Sequence, residues 1–159
     1  MNKVNSKFKV ISILLIILFG SFLRGYNINY NDFWSDEMVS FWVSDPSLSF
    51  DETLQRIFSS QWMVLNEILL KYFHSIFGYD VNISRYFSFF ISVLSLISFA
   101  LLLSNISNIN STIFGIFILS LNIYHIGYSI ELRSYILTFF LVNLFIYIAF
   151  INSKSKIIS

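Results

Sequence analysis

The chain has 159 residues, of which 56% are hydrophobic and 12% charged, against roughly 25% charged in an ordinary soluble domain. Mean hydropathy is +0.71, and nineteen Phe and nine Tyr stand beside one Pro and five Gly. So little polar surface cannot cover a water-facing globule, and the composition reads as an all-α, polytopic membrane protein. The absence of cysteine excludes a disulfide framework, a zinc finger and thiolate chemistry. A net charge of +1 offers no footing for nucleic acid.

The few charges mark out the spans. Fourteen uncharged residues, Val10 to Leu23, lie between Lys9 and Arg24. That is short for a crossing of about 20 residues, but snorkelling of the flanking cations and tilt extend it, so a first span is expected over 10–26. A signal peptide is the rival reading, and the Gly-Ser-Phe-Leu-Arg ending lacks its small-x-small cleavage site. Tyr86 to Ile130 is a run of forty-five residues without a formal charge, which suits two crossings. The Ser- and Asn-rich stretch 104–112 divides it, because these side chains compete for backbone hydrogen bonds and favour a turn. Spans are expected over 86–103 and 113–129, with a fourth over 134–153. About four spans place both ends on one side. The charges nearest the ends are Lys3, Lys7 and Lys9, and Lys154 and Lys156; the positive-inside rule assigns them to the cytoplasm. The segment 24–84 is then outside.

That outer segment holds all three Trp residues, Trp34, Trp42 and Trp62, and most of the acids. Amphipathic aromatics favour the headgroup level. A short helix is expected over Asp32–Val43, capped by Asn31 or Asp32. Ser49-Phe50-Asp51-Glu52 is a capping box opening a helix that runs to about Ser60. A third helix is expected from Val64 to Phe77, stopping at Gly78, with Leu65, Ile68, Leu69, Tyr72 and Ile76 at helical spacing. Interfacial helices over 32–78, lying on the outer leaflet, follow.

Two constellations carry chemistry. Asp36 and Glu37 stand in Trp34-Ser35-Asp36-Glu37, flanked by aromatics. A carboxylate near a low-dielectric surface is desolvated and becomes a better base for a hydroxyl. Consecutive helical positions diverge by about 100°, so the two acids have separate jobs rather than forming a dyad. The bland alternative is a solvated first turn that complements the helix dipole. Glu131 and Arg133 interrupt an otherwise apolar run. Each would cost about 2.5–3.5 kcal/mol at a helix centre, so they lie at a boundary or face a polar cavity. The bland alternative is a loop that merely joins two spans. His125 precedes this turn and is placed to line the same cavity. Lys71 and His74, three apart on one helical face, are candidates for a phosphate or headgroup, as is Arg85. No Gly-rich phosphate loop, nucleophilic Ser motif or zinc spacing is present.

The order of these features resembles the N-terminal part of the GT-C superfamily of membrane glycosyltransferases. The branch is that of the protein O-mannosyltransferase and aminoarabinose-transferase-like enzymes, including the RgtA/B/C/D-like group. The residues that carry the resemblance are Trp34-Ser35-Asp36-Glu37, Ile76-Phe77-Gly78, Arg85, His125 and Tyr128-Ser129-Ile130-Glu131-Leu132-Arg133-Ser134-Tyr135. It covers nearly the whole chain. Where such enzymes carry a His-Pro-Pro-like element, this chain reads Gln61-Trp62-Met63-Val64. The resemblance implies transfer of a sugar from a polyprenyl-phosphate carrier to an outer-face acceptor: a glycan, a lipid or a protein. It implies Asp36 as general base in an inverting displacement, with Glu37 supporting it. Arg133 would bind the carrier phosphate, with Glu131 and Tyr135 in the same pocket. A divalent cation beside Asp36 or Glu131 is compatible with these acids and required by none of them. Such enzymes run to several hundred residues, so the chain is expected to be an N-terminal module. The competing expectation is a non-enzymatic four-span protein that binds a partner subunit or carrier lipid. A transporter piece fits less well, because the acids lie outside mid-membrane.

Overall fold

A computed structural model describes residues 3–26 and 28–158, and side-chain surroundings within 7–26 and 28–153. Lys3, Lys154 and Lys156, on which part of the expected orientation rests, have side chains outside that range. The described residues form helices without strands: α1 (Lys3–Gly25), α2 (Ser35–Val43), α3 (Phe50–Ser60), α4 (Val64–Phe77), α5 (Val81–Ile106), α6 (Ile109–Leu121), α7 (Ile123–Tyr128) and α8 (Tyr135–Ile158).

Among the described residues three helices are long and apolar enough to cross a membrane: Lys7–Gly25 within α1, Val81–Ile106, and Tyr135–Ser153 within α8. At about 1.5 Å per residue the shortest of them reaches about 28 Å, close to a hydrocarbon core. Their outer faces carry exposed Leu14, Leu18, Phe22, Phe90, Leu94, Leu101, Phe145 and Ile148, the pattern of helices solvated by lipid.

The expected span over 113–129 is instead two helices, α6 and α7, meeting at Asn122. Thirteen residues reach only about 20 Å, so α6 by itself is too short to cross. Asn122 ends one helix and caps the next, its side chain accepting the His125 N–H at 2.9 Å. The carbonyls freed at the end of α6 are taken by Arg24, which donates to Leu119 O at 3.0 Å and to Ser120 O at 3.1 Å. Arg24 therefore does not snorkel outward. It is fully buried, turned inward, and places a cation at the negative end of α6. Gly20 permits this: a Cβ there would lie 2.8 Å from Ser120 Oγ and 3.2 Å from Arg24 Nη1, so the bare α1 backbone leaves room for both side chains.

α5 is the hub, packed against α8, α1, α6 and α4. Among its buried residues is a series of serines, Ser84, Ser88, Ser92, Ser95 and Ser98, interleaved with apolar side chains. Serine lets helices approach closely. Ser92, Ser95 and Ser98 return their hydroxyls to carbonyls three residues back, so burial leaves none of them orphaned. An apolar cluster of Ile17, Leu96, Ala100 and Ile116 joins α1, α5 and α6. Another, of Leu70, Phe87, Ile91, Leu132, Ile136 and Leu137, fastens α4 to α5 and α8.

The connecting segment between α1 and α5 is largely helical. The Ser49 box forms as read, with Glu52 N donating to Ser49 Oγ and Ser49 N to Glu52 Oε2. α4 has the expected bounds, and Gly78 follows it at φ 109°, a conformation glycine adopts freely. α2 begins at Ser35 rather than near Asp32, because the carbonyls of Asn31 and Asp32 face Arg85 instead of opening a helix. On α4 the apolar stripe points outward, with Leu65, Leu69, Tyr72 and Ile76 exposed, whereas Asn66, Glu67 and His74 are buried alongside Leu70. Such inverted amphipathicity would be costly in water and fits a helix with an apolar surround.

Candidate active site

A buried ion pair sets the geometry. Arg85, in the first turns of α5, and Glu37, in the first turn of α2, are both buried, with Nη2 to Oε2 3.2 Å and Nε to Oε1 3.4 Å. Arg85 also donates to the carbonyls of Ile28 (3.3 Å), Asn31 (2.5 Å) and Asp32 (3.1 Å), which fixes the strap between α1 and α2. Glu37 accepts two backbone N–H groups at 3.1 Å, from Trp34 and from Leu132. Its two oxygens are thus fully engaged, as a buried carboxylate requires. Ser88 adds a second tie from α5 to the same loop, donating to Glu131 O at 2.6 Å.

This frame holds two charged groups at the mouth of one cavity. Asp36, next to Glu37, and Arg133, next to Leu132, form an ion pair through Oδ2 and Nη1. Asp36 is more than half exposed, in contrast to its buried neighbour, so the two acids have the separate environments that their 100° divergence predicts. The cavity, about 260 Å³, is lined by Trp34, Asp36, Glu37, Tyr128, Glu131, Arg133 and Tyr135. Arg133 also donates to the Tyr135 hydroxyl at 3.2 Å, and the Tyr128 and Tyr135 rings lie 4.7 Å apart. Burial and the nearby Glu37 raise the Glu131 carboxyl above its ordinary value.

Tyr128 and Tyr135 also line an apolar groove of about 510 Å³, walled by Met63, Tyr124, His125, Ile136 and Phe139 among others. His125 is locked at its edge. Arginine only donates, so Nδ1, 3.1 Å from Arg24 Nε and 2.9 Å from Nη2, is the acceptor. Nε2 then carries the proton and donates to Ser95 Oγ at 2.9 Å.

Of the residues singled out from sequence, the structure brings Asp36, Glu37, Glu131, Arg133 and Tyr135 to one cavity. Arg85 reaches it through Glu37, and His125 borders the adjoining groove. Lys71 and His74 are elsewhere. Lys71 donates to Asp45 O at 2.8 Å and Leu48 O at 2.7 Å. His74 is buried between Ser44 and Ser84, and burial holds its imidazole below the usual value. Both fasten α4 to the α2–α3 turn.

Two residues went unmarked in the sequence. Arg24 looked like a span-end cation. Glu67 has no place in the sequence reading, yet it is buried beside a second recess of about 200 Å³, also lined by Trp62, Arg133, Ser134 and Tyr135. The only sequence signal for either was an ionisable residue in an apolar setting. Among the described residues no group of three His, Cys, Asp or Glu is arranged to hold a metal ion. In comparisons with protein-family models, curated proteins and solved structures, nothing matches this chain.

Proposed function

We propose that the chain is the N-terminal, site-bearing part of a membrane glycosyltransferase that moves a sugar from a polyprenyl-phosphate carrier to an acceptor on the outer face. One observation carries the reading: Asp36 and Arg133 meet at a polar cavity that shares Tyr128 and Tyr135 with an apolar groove. A lipid-linked phosphate needs a cation for its head and an apolar channel for its tail. Arg133 presents donors suited to phosphate, and the groove supplies the channel.

The chemistry follows from the pair. A carrier phosphate on Arg133 competes with Asp36 and releases its carboxylate. Asp36 takes the proton of an acceptor hydroxyl, whose oxygen attacks the anomeric carbon from the side opposite the phosphate. The carbon–oxygen bond to the phosphate breaks, the configuration inverts, and the polyprenyl phosphate leaves as an anion stabilised by Arg133. Glu37 and Arg85 act as positioning residues that keep α2 and the Leu132 loop in register. Glu131 borders the departing phosphate.

In this reading α6 and α7 together count as a broken third crossing, bringing the total to four, which puts both ends in the cytoplasm of a plasma-membrane protein and the cavity outside. The outward apolar stripe of α4 supports an interfacial position for that helix.

Binding of decaprenyl phosphate and of decaprenol to the purified protein in nanodiscs tests the reading. The phosphate is expected to bind about tenfold tighter than the alcohol, the worth of a charge-assisted contact. Arg133→Gln abolishes that preference, and Asp36→Asn keeps binding while transfer by the native enzyme is lost. A wild-type protein that does not distinguish phosphate from alcohol overturns the proposal.

A further inference from the structure

The recess on the other side of Arg133 has its own chemistry. Glu67 is only 1% exposed. Its Oε1 accepts from Ser40 Oγ at 3.1 Å and from Asn66 Nδ2 at 3.0 Å, whereas Oε2 is buried without a partner. A carboxylate oxygen left unpaired in a low-dielectric setting is expensive, and a ligand hydroxyl would satisfy it. The Trp62 ring stands beside it, held by its Nε1 donating to Ser40 Oγ at 2.6 Å. Ser40 thus links ring and carboxylate in one hydrogen-bonded chain. Arg133 lies over the Trp62 ring, 5.1 Å from its centre.

The charges restrict what fits. Arg133 disfavours a cationic ligand and Glu67 an anionic one. A metal ion would need further acids that the recess lacks. A neutral ligand rich in hydroxyls remains, and an indole beside hydrogen-bonding groups suits the apolar face and polar rim of a sugar ring. Gln61 and Ser134, at the margin, add an amide and a hydroxyl.

We propose that this recess is a sugar-binding subsite, in which Glu67 Oε2 takes a ring hydroxyl and Trp62 packs against the ring face. The assignment rests on the glycosyltransferase reading and deepens it by naming the seat of a sugar, whether the donor's or the acceptor's.

The test uses the full chain in nanodiscs with Trp34→Phe and Trp42→Phe, leaving Trp62 as the sole indole reporter. Methyl glucoside, mannoside, galactoside and N-acetylglucosaminide are titrated while Trp62 emission is followed. At least one is expected to give a saturable change, weakened about tenfold or more by Glu67→Gln and by Glu67→Leu, the scale of a hydrogen bond to a charged group. Retained decaprenyl phosphate binding shows that these variants are folded. If decaprenyl-phosphate mannose also shifts Trp62 and blocks the response to the pyranosides, the subsite takes the donor's sugar. If the pyranosides bind on top of it, the subsite takes the acceptor's. No response to any pyranoside, or one indifferent to both Glu67 variants, overturns the subsite while leaving the carrier-binding result to judge the parent reading. Pyranoside binding without discrimination between decaprenyl phosphate and decaprenol sinks the parent reading alone.

Discussion

Glu37 Oε1 accepts the backbone N–H of Leu132 at 3.1 Å across most of the chain's length. The contact makes the positions of Asp36 and Arg133 interdependent, since each is one residue from an end of it. The same carboxylate neutralises Arg85, so the cavity's geometry depends on one buried charge pair.

Breaking such a pair from one side strands the other charge, at a cost of about 3–5 kcal/mol. Glu37→Leu and Arg85→Met should therefore each lower the unfolding midpoint in detergent strongly. The double variant should lose less than the two singles combined, with a coupling above about 1 kcal/mol. Additive losses would mean that the pair is not a unit and that the strap between α1 and α2 is held by other contacts.

Arg24 has a comparable role at the end of α6. Removing its guanidinium leaves the Ser120 carbonyl and His125 Nδ1 without their Arg24 donor, each worth about 1–3 kcal/mol when buried unsatisfied, while Leu119 O keeps only the Asn122 N–H at 3.2 Å. Arg24→Met should destabilise the protein and accelerate amide exchange selectively at the α6–α7 junction. Arg24→Lys keeps the charge but not the fork and should fall between. Uniform exchange across α6 in Arg24→Met would show that the junction does not depend on this cap.

What could be read from sequence was local. The Ser49–Glu52 box and the Gly78 stop depend on residues within a few positions of one another and appear where expected, whereas the Ser/Asn turn expected over 104–112 shrinks to Ser107 and Asn108, with α5 running on to Ile106 and α6 starting at Ile109. Asp36, Glu131 and Arg133 stood out because charge in an apolar chain is costly wherever it sits. The pairing of Glu37 with Arg85 was not legible, because forty-eight residues separate them and nothing local joins them. The break at Asn122 was hidden for the same reason. One Asn in an apolar run is a weak helix breaker, and the cation that rewards the break comes from α1. Glu67 was obscured by the outward-facing apolar stripe of its own helix. Spacing shows that two faces exist, and only the surroundings decide which one is buried.

Glu67 also predicts a pH dependence. Burial pushes its carboxyl up to about 7, from 4.5, with Arg133 the charge that opposes the rise. The folded state holds this proton more tightly than the unfolded chain. Its contribution is therefore complete below about 4.5 and is lost as pH rises through about 7, a change of about 3 kcal/mol. His74, held low by burial, acts in the opposite direction, so the readout is the difference between proteins. Between pH 5 and 8 the melting temperature of wild type should fall relative to that of Glu67→Gln. Parallel curves would mean that Glu67 does not titrate in this range.

The proposed orientation has a direct chemical test, because the chain contains no cysteine and any single introduced thiol is the sole target. Gln55 on α3 and Asn110 at the start of α6 are both exposed. They fall on opposite sides of the membrane if α5 crosses it and the α2–α4 segment is outside. Gln55→Cys should react with a membrane-impermeant maleimide in intact cells, and Asn110→Cys only after permeabilisation. The reverse pattern would put the Asp36–Arg133 cavity on the cytoplasmic face, and the acceptor would have to be sought there. Labelling of both from outside would mean that α5 does not cross, and the carrier-lipid reading would lose its membrane geometry.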